Sequence, residues 1–121
     1  MSIGTTADQS SQLTIFVATG NITDTDAIDA LESFYTKNPT LYSIWDFRNA
    51  PPRALPTNQI QDVLKIPREY RHIRRGGKTA FIVKEEMELE MLKILRLAID
   101  LPYEMGVFNS IEDAQEWLFG N

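Results

Sequence analysis

The sequence contains no cysteine, which excludes disulfides, thiolate metal sites, cysteine nucleophiles and redox chemistry by side chains. A single histidine, His72, is present, so a metal site built on two or more imidazoles cannot be assembled. No apolar stretch approaches the roughly 20 residues needed to cross a bilayer. The segment from Met1 to Gln12 is polar and lacks the charged and apolar regions of a secretory signal. The expectation is a cytoplasmic protein without membrane insertion. Positive charge is also in short supply: 12 Lys and Arg stand against 17 Asp and Glu, a formal charge of −5. Binding a polyanion relies on counterion release by a basic surface, so nucleic acid is not an expected partner.

What is present is an ordinary globular mixture, with 43% apolar and 24% charged residues in 121. A chain of this length accommodates one domain and one core. Residues 13–119 are assigned to that domain; residues 1–12 form either a flexible N-terminus or a short edge strand over Ile3 to Ala7. Charge is distributed unevenly. Lys65, Arg68, Arg71, Arg74, Arg75 and Lys78 fall in one stretch, followed by Glu85, Glu86, Glu88 and Glu90; such blocks are more often solvated faces than docking surfaces.

Strand and helix patterns alternate along the chain. Leu13 to Thr19 is apolar on both faces of a two-residue period and reads as an interior strand. Thr23 or Asp24 can cap a helix whose stripe is Ala27, Ile28, Leu31, Phe34 and Tyr35. Leu41 to Phe47 is a second core strand, with Trp45 and Phe47 on one face, Tyr42 and Ile44 on the other, and Asp46 near its carboxyl end. Three of the six prolines then stiffen a loop from Asn49 to Pro56.

Thr57 can cap the next helix, which buries Ile60, Val63, Leu64, Tyr70 and Ile73 and is kinked or split by Pro67 near Ile66. Gly76 and Gly77 stop it and Thr79 to Val83 is a buried strand. From Glu86 to Asp100 a wide apolar face predicts a helix, and Leu89 and Leu97 fall on its otherwise polar side. With Lys93 they mark a surface on which two copies could associate; the alternative is a helix buried within its own domain. Tyr103 to Phe108 is the last strand, and Ser110, with Asp113 three positions on, opens a helix that buries Ile111, Ala114, Trp117 and Leu118. Such alternation favours a mostly parallel sheet.

Few residues carry chemistry. A Ser-His-Asp triad can be drawn from His72 and Asp46, but no Gly-x-Ser-x-Gly elbow presents a serine. Gly76-Gly77-Lys78-Thr79 has the ending of a phosphate loop without its first glycine or its spacing, and a strand follows it; Lys78 is read as solvated. Topology offers more, because ligands of open α/β sheets sit beyond the carboxyl ends of the strands. Asp46, Arg48 and Asn49 follow one strand, Lys84 and Glu85 another, and Asn109 and Ser110 the last. Clustered, they make a polar rim suited to an anion or a peptide. The plainer reading is that Asp46 accepts hydrogen bonds from the proline loop, Arg48 pairs with it, and Ser110 only caps.

Three stretches, in this order and spacing, carry a resemblance: Trp45-Asp46-Phe47-Arg48-Asn49-Ala50, Gly77-Lys78-Thr79-Ala80-Phe81-Ile82-Val83, and Val107-Phe108 followed by Ala114 and Trp117-Leu118. From Leu13 onward the chain resembles the STAS domains, and within them the stand-alone SpoIIAA-like proteins of bacteria. The resemblance implies a SpoIIAA-like α/β fold: a mostly parallel mixed sheet of four to five strands with four helices. It also implies a non-enzymatic regulatory or interaction module without cofactor or metal, whose partner is another protein or a second copy in a homodimer. STAS antagonists carry a phosphorylatable serine in the turn after the strand that ends in Asp. Here Asn49 to Asn58 contains no serine, so that switch does not carry over. Thr57 lies in a comparable place and could accept a phosphate at a helix N-terminus, although capping alone accounts for it. Two rivals remain: a small-molecule or lipid carrier with an apolar pocket between the sheet and the helices Thr57 to Arg75 and Glu86 to Asp100, and a hydrolase with a cleft around Asp46 or Glu85.

Overall fold

The computed structural model describes residues 2–20, 22–37, 39–50, 65–67, 69–70, 77–84, 86 and 104–120. Its elements run β1 (Ser2–Asp8), β2 (Leu13–Thr19), α1 (Asp24–Thr36), β3 (Tyr42–Asn49), β4 (Lys78–Ile82), β5 (Glu104–Phe108) and α2 (Ile111–Phe119). The five strands form one sheet in the order β1-β2-β3-β4-β5. β1 pairs antiparallel with β2, while β2, β3, β4 and β5 are mutually parallel. Residues 2–8 are thus an edge strand rather than a tail.

The β1–β2 hairpin closes through local polar contacts. Asp8 accepts from the Ser10 backbone at 3.0 Å and from its hydroxyl at 2.7 Å, the side-chain-to-backbone bond by which Asp stabilises turns. Gln12 takes a left-handed φ of 56°, uncommon for a residue with a Cβ. In that position its carbonyl accepts from the Tyr42 amide and its side-chain oxygen from the Leu41 amide, at 2.9 and 3.3 Å. The turn is thereby tied to the start of β3.

Alternation along the strands divides the core into two layers, one on each face of the sheet. On one face Phe16 and Trp45 stack at 4.1 Å with 11° between their planes, and Phe34 of α1 meets Phe16 edge-on at 5.5 Å. Phe47 and Phe81 continue the aromatic row, joined by Tyr35, Ile66 and Tyr70. On the other face Leu13, Ile44, Ala80 and Ile82 receive Ala114 and Leu118 of α2. Gly106 lies on this second face, where a Cβ would meet the Phe108 ring at 2.7 Å and the Trp117 ring at 3.3 Å. Its missing side chain is what lets Trp117 approach β5.

Both described helices begin as the sequence implies, with caps that satisfy otherwise orphaned backbone amides. Thr23 caps α1, and the Asp26 carboxylate returns a bond to the Thr23 amide, completing a capping box. Ser110 caps α2 by accepting from the Asp113 amide at 3.2 Å. The expected helix over 57–75 is described at 65–67 and 69–70, where Pro67 is buried and the Tyr70 amide still reaches the Ile66 carbonyl. The expected helix over 86–100 is described only at Glu86.

Differences from expectation concentrate at strand ends. β3 continues past Phe47 to Asn49, so Arg48 joins the strand and Asn49 belongs to it instead of to the proline loop. Lys78 begins β4 rather than preceding it. Its ammonium lies 5.2 Å over the Trp117 ring and 3.5 Å from the Trp117 carbonyl. A lysine read as solvated in fact sets its ammonium over an aromatic ring.

Candidate functional site

Because β3, β4 and β5 run parallel with Asp46, Ile82 and Phe108 in register, their carboxyl ends emerge on one edge of the sheet. That edge brings Arg48 and Asn49, Lys84, and Asn109 and Ser110 to the same side. Pairing persists just beyond the strands: the Val83 amide donates to the Phe108 carbonyl at 2.9 Å, and the Gly20 amide to the Asn49 carbonyl at 3.1 Å.

The central feature is an irregularity in β3. Val17 pairs with Asp46 and Thr19 with Asn49, so β2 advances two residues while β3 advances three. The extra residue makes a β-bulge, which re-aims side chains and takes a backbone amide out of the ladder. The Arg48 amide donates instead to Asp46 Oδ1 at 3.0 Å. The same carboxylate receives Arg48 Nε on Oδ1 at 3.0 Å and a terminal guanidinium nitrogen on Oδ2 at 2.8 Å. This is a bidentate pair, the strongest and most directional form of the contact.

The Asp46 side chain is 10% exposed and that of Arg48 38%. The guanidinium hydrogen bonds hold the Asp46 carboxyl below the usual carboxylate range, with the Arg48 amide and charge adding to them against the opposing cost of burial. The pairing raises the Arg48 pKa in turn, and Glu112 in the first turn of α2 adds to that. Asp46 is therefore a fixed anion. A carboxylate held ionised this way is a poor proton acceptor near neutrality, unlike one poised by burial for acid–base work. Its evident role is to hold Arg48 in place.

The remaining rim residues are simpler. Lys84 and Asn109 are exposed and Ser110 is half-buried as the α2 cap. Glu112 and Asp113 occupy the first turn of α2, so the positive end of the helix already faces carboxylates. A free anion finds little there; a peptide with groups of both signs finds complementary ones. On two counts the geometry follows the plainer sequence reading, since Arg48 pairs with Asp46 and Ser110 caps. Among the described residues the backbone donor to Asp46 is Arg48 itself; the proline loop from residue 51 onward, the expected donor, lies outside them.

Thr57, Glu85, His72 and the proposed association surface of Leu89, Lys93 and Leu97 lie outside the described residues, as does the pocket expected beside the helices 57–75 and 86–100. Among the described residues no group of three or more His, Asp or Glu is arranged to hold a metal ion.

One feature of the fold has no counterpart in the sequence reading. A cavity of about 410 Å³ opens between β1 and α1, lined by Ile3, Thr5 and Ala7 on the strand and by Asp26, Asp29, Ser33, Phe34 and Lys37 on and after the helix, among others. Asp29 and Lys37 lie outside the apolar stripe of α1; only the placement of α1 over the sheet edge puts them on the wall of a groove.

An open mixed sheet with one antiparallel edge strand, four mutually parallel strands, helices on both faces and a polar carboxyl edge defines an α/β protein of the doubly covered kind. No protein-family model matches the sequence, and no curated protein does. Among solved structures the chain is similar to an uncharacterized protein of the DUF3478 family with a SpoIIAA-like fold from Shewanella loihica PV-4. The TM-score is 0.65 and the identity 20%, over 97% of this chain and 92% of that one. The chain has the SpoIIAA-like fold; at this identity the likeness establishes architecture alone.

Proposed function

We propose that this chain is a non-enzymatic, STAS-like regulatory or interaction module that receives a protein partner on the carboxyl-edge rim around Arg48, in the cytoplasm. The supporting observation is the bidentate Asp46–Arg48 pair at the β3 bulge. An arginine held rigid before binding loses little side-chain entropy on association, and such residues are over-represented among those that dominate interface energies. Lys84, Asn109, Glu112 and Asp113 follow the neighbouring strands at the same end of the sheet and bring both signs of charge to it, and Glu112 acts on the Arg48 charge. Without a serine in the segment Asn49 to Asn58, the control of binding differs from the phosphoserine switch of STAS antagonists. No described helix is long and apolar enough to cross a membrane.

The reading is tested by parallel affinity capture from the native host with wild-type and Arg48→Ala protein. A partner retained by the wild type and reduced about tenfold or more by the substitution supports the rim. Equal recovery on both baits removes it.

The cavity beside α1 favours a second reading, a small-molecule carrier. Its volume of about 410 Å³ falls within the range of small-ligand sites, and Asp26, Asp29 and Lys37 on its wall suit a polar ligand better than a lipid chain. Native mass spectrometry of gently purified protein should then show a bound small molecule that is lost from a Ser33→Trp variant. Mass peaks of bare chain alone would reject the carrier.

A further inference from the structure

The outer edge of β1 stands out among the described surfaces. Natural edge strands are blunted by lysine, proline, bulges or shortness, because a regular row of open backbone groups is a template for another strand. β1 has none of these protections. It runs seven residues, Ser-Ile-Gly-Thr-Thr-Ala-Asp, in unbroken register with β2. Residues 4–8 are all exposed, and the only charge sits at the last position, Asp8.

We infer that two copies of this chain associate through β1, in an antiparallel two-fold pairing centred on Thr5 that joins their sheets into one. Three features select a second copy over an unrelated strand. The first is the sequence of β1 in that register: Thr5 meets itself, Gly4 meets Thr6, Ile3 meets Ala7 and Asp8 meets position 2. Small residues face one another, and no like charges are opposed.

The second feature is the direction of α1, which packs over β1. Thr19, the end of β2, lies beside Ser2, so α1, starting at Asp24, begins at the Ser2 end of β1. Tyr42, the start of β3, lies beside Leu13, which pairs with Asp8, so Lys37 after α1 lies at the Asp8 end. A two-fold axis through Thr5 exchanges these ends. The N-terminal half of one α1, which carries Asp26 and Asp29, thus comes alongside Lys37 of the second copy.

The third feature is charge. Asp29 and Lys37 both line the groove above β1, and neither forms an ion pair among the described residues. They are separated by eight residues, about 12 Å along a helix, too far to pair with each other in one chain. In the two-fold arrangement the acid of each copy comes beside the base of the other, so the contact occurs twice. The grooves of the two chains then face each other across the joined strands.

The experiment is analytical ultracentrifugation of the full chain over a concentration series, with variants at positions that are exposed in one copy. The wild type is expected to dimerise. Thr5→Lys places two like charges opposite each other on the axis and should raise the dimer dissociation constant by about tenfold or more while leaving the melting temperature of dilute protein unchanged. Lys37→Glu should weaken the dimer severalfold, and Lys37→Glu combined with Asp29→Lys should restore it, because the exchanged signs meet again only between copies. A wild type that stays monomeric at about 1 mM, a dimer indifferent to Thr5→Lys, or a double variant no better than Lys37→Glu would each overturn the inference. So would a dimer broken by Leu97→Lys alone, which would place the interface on residues 86–100.

Discussion

Replacing Phe16 by alanine is expected to lower the unfolding free energy by about 3–5 kcal/mol, the usual cost of deleting a buried aromatic side chain. Phe16 is 1% exposed and lies where β2 meets both β3 and α1. Its ring stacks on Trp45 and receives the edge of Phe34, contacts worth roughly a further 0.5–1.5 kcal/mol beyond burial for each pair. The void would be walled by two large rings held on separate elements, and neither can swing in without leaving its own neighbours. Little relaxation is therefore available to reduce the cost. Urea unfolding followed by tryptophan fluorescence measures it directly, because Trp45 is the stacking partner. A loss below about 1 kcal/mol would mean that α1 does not close this layer in solution.

Asp46→Ala should cost about 2 kcal/mol and reshape the stability profile at acid pH. The carboxylate accepts three hydrogen bonds, one from the Arg48 amide and two from its guanidinium, and bonds to a charged group contribute about 1.5–3 kcal/mol each when fully desolvated. The guanidinium is 38% exposed and can return to water, so much of its share is screened; the stranded bulge amide accounts for most of the remainder. The sign of the pH effect follows from the folded-state pKa lying below the unfolded one. Pairing then stabilises the fold above the unfolded carboxylate value of about 3.9, and the contribution disappears as pH falls through the lower, folded value. The Asp8 carboxyl is lowered too, by its bonds to Ser10, so the informative comparison is wild type against Asp46→Asn. The difference between their denaturation midpoints should be constant near neutrality and shrink below about pH 4. A difference that stays undiminished to pH 2 would show that folding does not lower the Asp46 pKa.

The rim reading and the β1 inference rest on opposite features of the sheet. The rim uses the carboxyl ends of β3, β4 and β5, whereas β1 is the edge strand, separated from them by β2. Arg48→Ala is accordingly expected to leave self-association unchanged, and Thr5→Lys to leave partner capture at the rim unchanged. Each hypothesis can fail alone.

How much was legible beforehand differed from element to element. The stripe from Ala27 to Tyr35 located α1, and Ser110 with Asp113 located the start of α2, because helix periodicity and capping are written within a few consecutive residues. The alternation of Trp45 and Phe47 against Tyr42 and Ile44 assigned the two faces of β3 correctly for the same reason. Lys78 was misread because a lysine beside a glycine turn carries no sign of the tryptophan that arrives from 39 residues away. The extension of β3 was missed because the prolines after Ala50 obscured how far pairing reaches.

The sequence by itself determined the α/β class, the strand faces, both described caps and the candidacy of Asp46, Arg48, Asn109 and Ser110, since all of these follow from residue types at short spacings. Only the tertiary structure decided three things. It placed a bulge at Arg48, because a bulge is a mismatch between two strands and belongs to neither alone. It bound Asp46 to Arg48, because that bulge frees the amide which completes the carboxylate's contacts. And it set Asp29 and Lys37 beside an open β1 edge, because which polar residues of a helix face a groove depends on what the helix lies against.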